Sequence, residues 1–206
     1  MNGCYIREMG AEKLAQRAKE WLAKAVCLGK LQVNENGGNV VATPPKDAAS
    51  APLPKFSESE LAEAKNYVEA HTPQMVAACQ NIIERIDRLD EIPEKLSFLF
   101  WGNQVVMDEK SLNKVLLKEN ARADEALNAL REVIANESWD FEALQNAASA
   151  LCENLSIKPR LLFQPLRVAV CGNMVSPPLM ESIALMNRED VLDRIDFALK
   201  LIAENK

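Results

Sequence analysis

Apolar residues recur every three or four positions along most of this chain, the spacing of helices that turn one face inward. Leu14, Ala18, Trp21, Leu22 and Ala25 mark such a helix over 12–28. The pattern then lapses. Residues 29–56 hold Gly37-Gly38, Pro44-Pro45, Pro52 and Pro54 with few large apolar side chains, the composition of a linker or extended loop, and Val40-Val41 is a candidate short strand. Ser57 followed by Glu60 is a capping box opening a helix to about His71. Thr72-Pro73 predicts a stop and a restart, with Thr72 as cap and Pro73 at the first helical position. The new helix carries Met75, Val76, Cys79, Ile82, Ile83 and Ile86 on one stripe. A short helix over 92–100 tolerates Pro93 only in its first turn, and the apolar run Ser97–Phe100 leads to Trp101-Gly102.

From Asp108 onward the pattern is helical to the end. It predicts helices over 109–117 capped by Asp108, over 122–136, and over 141–155 capped by Ser138 or Asp140. Three more follow over 161–171 (entered from Lys158-Pro159), 177–186 and 189–203. Sustained apolar–polar alternation is missing, no Asn-Gly or Asp-Gly joins two alternating runs as a hairpin turn, and no fixed-period repeat occurs. The fold class is therefore all-α, an assembly of short helices, with divisions expected at 1–28, 29–56, 57–107 and 108–206.

The chain has 206 residues, enough for one domain or two small ones, and is 48% hydrophobic and 26% charged, ordinary globular material. No apolar run reaches the ~18 residues of a membrane span, and no signal-peptide pattern opens the sequence. Five scattered cysteines without a Cys-x-x-Cys pair read as reduced, mostly core-filling thiols of a cytoplasmic protein. One histidine, His71, cannot build a zinc site alone. The net charge of −6 argues against a general nucleic-acid or DNA binder. That charge is uneven: residues 1–56 carry +3, 57–150 carry −9, and 151–206 balance. This leaves room for a local basic site and none for long phosphate tracking, so any RNA recognised is a few unstacked bases.

Catalytic patterns are missing. There is no Gly-rich phosphate loop and no G-x-S-x-G, and the single histidine has no nucleophile pattern around it. The one informative stretch is FQPLRVAVCGNMVSPPL, residues 163–179. Arg167 stands alone inside an apolar helical run. It is either a snorkelling side chain or a planar fork held for a base edge or phosphate. Gly172 permits a sharp turn. Ser176-Pro177-Pro178-Leu179 is either an ordinary helix cap or a helix N-terminus offering N–H groups to an acceptor-rich ligand.

Three segments carry a family resemblance. QPLRVAVCGNMVSPPL resembles the Q-P-L-R-x-A-L-T-G and following S/T-P-x-L of bacterial glutamyl-tRNA synthetases. MNGCYIREM at 1–9 resembles that family's W-x-N-G-x-Y-I-R segment, and ERIDRLDEIPEKLSFLF at 84–100 its E-R-x-K-T-L-x-E-L segment. The family's H-I-G-H-like and K-M-S-K-S-like catalytic motifs do not occur. The resemblance implies a C-terminal, non-catalytic fragment with the all-α anticodon-binding domains of the class I glutamyl-tRNA synthetase type. Residues 1–28 would end the stem-contact domain, 29–56 would be a linker, and 57–107 and 108–206 would be two anticodon-binding subdomains. ATP and magnesium would belong to the catalytic domain, itself an expected partner. The other expected partner is the anticodon loop of tRNA-Glu, with the chain a monomer that engages neither membrane nor DNA. Arg167 matches the family arginine at the anticodon, and Ser176, Pro177 and Leu179 the segment bordering the anticodon pocket. Arg85 matches an upstream anticodon arginine, with Arg88 as the substitute because Asp87-Arg88 replaces the family's Lys-Thr. Cys171 and Pro178 depart from the family's threonine and glycine. The competing reading is a helical protein–protein interaction module presenting Phe98, Phe100 and Trp101 on an acidic middle segment.

Overall fold

Local sequence signals set most of the helix starts in the computed structural model, which describes residues 3–43, 52–119 and 122–205. The chain forms two compact units, residues 1–35 with 46–101, and residues 36–45 with 102–206.

The first unit contains α1 (Gly3–Met9), α2 (Ala11–Arg17), α3 (Lys19–Asn36), α4 (Glu58–Ala70), α5 (Thr72–Ile82) and α6 (Ile92–Leu96). The helix expected over 12–28 is interrupted at Ala18 and then runs on to Asn36, well into the segment read as linker. Gly29 explains the difference. It is buried in mid-helix, and a Cβ there would lie 3.1 Å from Phe100 Cβ and 3.2 Å from the Ser97 carbonyl oxygen. It is a close-packing glycine, so it does not end the helix.

α4 starts on the expected capping box. The Ser57 hydroxyl accepts the Glu60 N–H at 3.3 Å, and the Glu60 carboxylate accepts the Ser57 N–H at 2.8 Å. The Ser57 hydroxyl, donating to that carboxylate at 2.6 Å, and then the Ser57 N–H hold the Glu60 carboxyl below its ordinary pKa. Thr72 is not the cap of α5. Only His71 separates the two helices, so the Thr72 hydroxyl reaches back to donate to the Glu69 carbonyl at 2.8 Å, and Pro73 sits in the first turn. α2 packs on α5, burying Leu14, Met75, Cys79 and Ile82, while Val76 is only half-buried. Phe98 and Trp101 are not a presented patch. They are 4% and 8% exposed, and the Trp101 indole N–H donates to Gln32 at 3.2 Å. Phe100 is half-buried, edge-on to Tyr67. An apolar run closed by glycine looks the same in sequence whether it faces solvent or core.

The second unit contains β1 (Val40–Ala42), β2 (Val106–Asp108), α7 (Glu109–Ser111), α8 (Ala123–Asn136), α9 (Phe141–Asn154), α10 (Pro159–Cys171), α11 (Leu179–Ile183) and α12 (Arg188–Glu204). The candidate strand at Val40-Val41 exists. It pairs in parallel with β2, Val40 opposite Val106 and Val41 opposite Met107. Asp108 caps α7, accepting the Ser111 N–H at 2.8 Å, and a wider π-type turn over Leu112–Leu116 follows. Asp140, not Ser138, caps α9 through the Ala143 N–H at 2.9 Å. α8 packs against both α10 and α12. Leu127, Leu130, Ile134, Leu162, Leu166, Val191 and Ile195 fill this core.

Four of the five cysteines are buried and Cys4 is exposed. Burial pushes the Cys79 thiol up to about 12 and raises Cys27, Cys152 and Cys171 as well, so these four stay protonated near neutral pH. A thiol reagent at pH 8 is expected to titrate Cys4 rapidly in the folded chain and all five after denaturation. Rapid reaction of a second thiol without denaturant would contradict the packing. Among the described residues no helix is long and apolar enough to cross a membrane.

Candidate nucleic-acid interface

α10 is amphipathic, with Leu162, Leu166, Val168, Ala169 and Val170 buried and Arg167 half-buried between them. The helix ends at Gly172, left-handed at φ 79°, whose N–H donates to the Val168 carbonyl at 3.0 Å. Glycine is required there for a second reason: a Cβ would stand 2.1 Å from the Val106 carbonyl oxygen. The Gly172 carbonyl in turn accepts the Asp108 N–H at 2.7 Å, which ties the end of α10 to the strand pair.

The chain then makes a tight return. Buried Ser111 donates to the Asp108 carboxylate at 2.5 Å and accepts the Met174 N–H at 3.3 Å. The Asn173 side chain accepts the Val175 N–H at 2.9 Å. Arg167 grips the far side. Its Nη1 donates to the Ser176 carbonyl at 3.2 Å, to the Pro177 carbonyl at 3.0 Å and to the Ser176 hydroxyl. Among the described residues, Nε and Nη2 of Arg167 make no hydrogen bond, so part of its donor fork is unspent. Gln164 lies one turn back on the same helix face, its Oε1 buried and without a partner among the described residues. Below the turn, burial raises the Cys171 thiol against the opposing pull of a Ser176 hydrogen bond and the Arg167 and Arg194 charges.

Arg167, Ser176 and Pro177 are thus brought into one hydrogen-bonded cluster. Ser176 is not a helix cap: α11 begins only at Leu179, with Pro178 at its cap position, because the Ser176 hydroxyl and carbonyl serve the guanidinium. Leu179 is 5% exposed and Pro177 is buried, so both lie behind the turn as its support. Arg85 and Arg88 belong to the other compact unit. Arg85 is exposed on the helical turn Ile83–Arg85 and has no ion pair among the described residues. Arg88 is exposed and neutralised by Asp90 at 2.9 Å, which also raises its pKa.

Two arginines passed over in the sequence are structural. Arg188 donates to the Ala135 and Glu137 carbonyls at 3.0 and 2.6 Å, closing the end of α8, and its charge lies 5.3 Å from the Trp139 ring centre. Arg194 is fully buried and donates to the Val170 carbonyl at 2.6 Å and twice to the Gly102 carbonyl. On an amphipathic helix both read as surface charge, and nothing in their spacing marks them otherwise. No group of three His, Cys, Asp or Glu side chains placed to hold a metal occurs among the described residues.

Comparison with known proteins gives one family. The model described as the anticodon binding domain matches residues 13–199. A glutamate–tRNA ligase of Chloroflexus aurantiacus is 28% identical over 204 residues, 97% of this chain and 33% of that protein. One of Paenarthrobacter aurescens is 30% identical over 95% of this chain and 31% of its own length. One of Cutibacterium acnes is 39% identical over 58% of this chain and 24% of its own. The chain thus spans about a third or less of the relatives it matches. A crystal structure of a glutamate–tRNA ligase from Elizabethkingia meningosepticum superposes over 93% of this chain with a TM-score of 0.53 at 17% identity, a likeness of fold.

Proposed function

This chain belongs to the anticodon binding domain family, and from that premise we propose that it recognises a tRNA, reading the anticodon loop of tRNA-Glu on behalf of a glutamate–tRNA ligase. On this reading the chain binds and does not catalyse. Glutamate activation with ATP and magnesium belongs to a catalytic domain with which it works in the cytoplasm. DNA has no part in it, and one copy suffices.

The observation that carries the proposal is the Arg167 cluster. A guanidinium on a stiff helix is anchored through Nη1 alone, leaving Nε and Nη2 to a ligand. Such a fork pairs in plane with a base edge or a phosphate and stacks on an unpaired base. Ser176 and Pro177 fix its direction, while Leu179 and Pro177 support the turn from behind. Taken by itself, the other unit offers Arg85 to RNA as an exposed cation, and Arg88 only if it gives up Asp90.

The net charge of −6 shapes the expected energetics. A titration with tRNA-Glu across salt should show saturable binding whose logarithmic salt slope is shallow, near about −2, as for roughly three neutralised phosphates of a single-stranded loop. A steep slope, near about −7, would indicate backbone tracking and contradict loop reading. Absence of binding at low salt would remove the RNA role.

A further inference from the structure

The large apolar side chain most exposed among the described residues is Val175, at 76%; the next is Tyr5 at 48%. A single exposed apolar side chain is unremarkable on a loose loop. Val175 stands on the opposite kind of support. The Gly172 carbonyl is held by the Asp108 N–H and the Met174 N–H by Ser111. The Val175 N–H itself is held by Asn173, and the next two carbonyls by Arg167. The turn is pinned on every side, and its β-branched tip has few side-chain rotamers to lose. An apolar group kept in water on a fixed backbone is preorganised to be covered, since little ordering cost remains when a ligand arrives.

What covers it follows from its neighbour. Arg167 grips the residue next to Val175 and keeps two nitrogens unengaged among the described residues. The ligand that suits both is flat and apolar on its face and rich in acceptors at its edge, which describes an unstacked nucleobase. We infer that Val175 is a base-contacting residue of this site: its isopropyl group packs on the face of one unpaired loop base while Arg167 reads that base's edge. The inference rests on the anticodon-reading proposal and places the apolar contact at the turn tip, since Leu179 is 5% exposed and part of the core.

Two RNA hairpins with one stem test it, the first with a seven-nucleotide anticodon loop of tRNA-Glu sequence, the second closed by a tightly stacked tetraloop. The 206-residue chain, Val175→Ala and Val175→Ile are titrated with each. Val175→Ala is expected to lose about tenfold in affinity for the open loop, the value for uncovering two methyl groups. It should lose nothing on the tetraloop hairpin and keep the wild-type melting temperature, while Val175→Ile should restore binding. Wild-type affinity of Val175→Ala for the open loop, or equal losses on both hairpins, would overturn the base contact and leave the anticodon reading standing. If the unmodified chain itself fails to prefer the open loop, the anticodon reading falls and the Val175 assignment with it.

Discussion

Arg167→Ala lowers the affinity of the chain for the tRNA-Glu anticodon stem-loop by about 10- to 100-fold, the cost of losing one bidentate base contact worth about 1–3 kcal/mol. The loss has two sources. The guanidinium supplies the free donors, and its Nη1 also holds the Ser176 and Pro177 carbonyls, so the turn that flanks the site loosens when it is removed. Arg167→Lys should recover little, because an ammonium lacks the planar fork. Arg131→Ala is the matched control. Arg131 lies on α8, paired with Asp196 at 2.6 Å across an exposed surface, a bond worth at most about 1 kcal/mol of stability. Its removal should leave RNA affinity unchanged. Equal losses from the two substitutions would assign Arg167 a purely structural role.

Arg194→Ala produces the largest loss of stability in the second unit, about 3–5 kcal/mol, as when a buried charge network is broken by deleting one partner. Arg194 is 0% exposed and burial pulls its pKa down to about 10, still far above neutral, so the cation persists in the core. It is tolerated because its donors meet helix-end and turn carbonyls. Val170 is among the last four carbonyls of α10, which have no partner within the helix, and Gly102 opens the segment leading to β2. Deleting the side chain orphans the buried Val170 carbonyl, removes both bonds to the Gly102 carbonyl and leaves a cavity. A thermal melt should fall by roughly 10 °C, against a small shift for Arg131→Ala. The pH dependence has a definite sign. Burial holds the folded-state pKa at about 10, below the ordinary arginine value, so the desolvation cost is fully present below pH 10 and is relieved as pH rises above it. Between pH 6 and 9 this group should contribute no change in stability. A melting temperature of Arg194→Ala within two degrees of wild type would contradict the capping role.

Helices with local start signals were legible in the sequence. Ser57 with Glu60, Asp108, Asp140 and Lys158-Pro159 each mark an observed start, since capping and proline placement act within four residues. Where the deciding contact is distant, the sequence was silent. Gly29 reads as a helix end until Phe100 and Ser97 are seen against it. The pairing of β1 with β2 joins three-residue strands 66 positions apart in register, too short for alternation to register. At the site, Arg167 stood out because it interrupts an apolar run. Ser176 reads in sequence as the start of a helix under either alternative, because its true partner is nine residues back on another element. Val175 carried no signal, because its meaning lies in how firmly its neighbours are held.

The most direct measurement of the central claim compares one protein with two RNAs. The chain is titrated with the anticodon stem-loop of tRNA-Glu and with the same stem-loop in which only the three anticodon bases are changed, at equal salt. Readout through Arg167 predicts at least about tenfold tighter binding of the cognate loop, a gap that closes in Arg167→Ala. Equal affinity of the unmodified chain for both loops would contradict it.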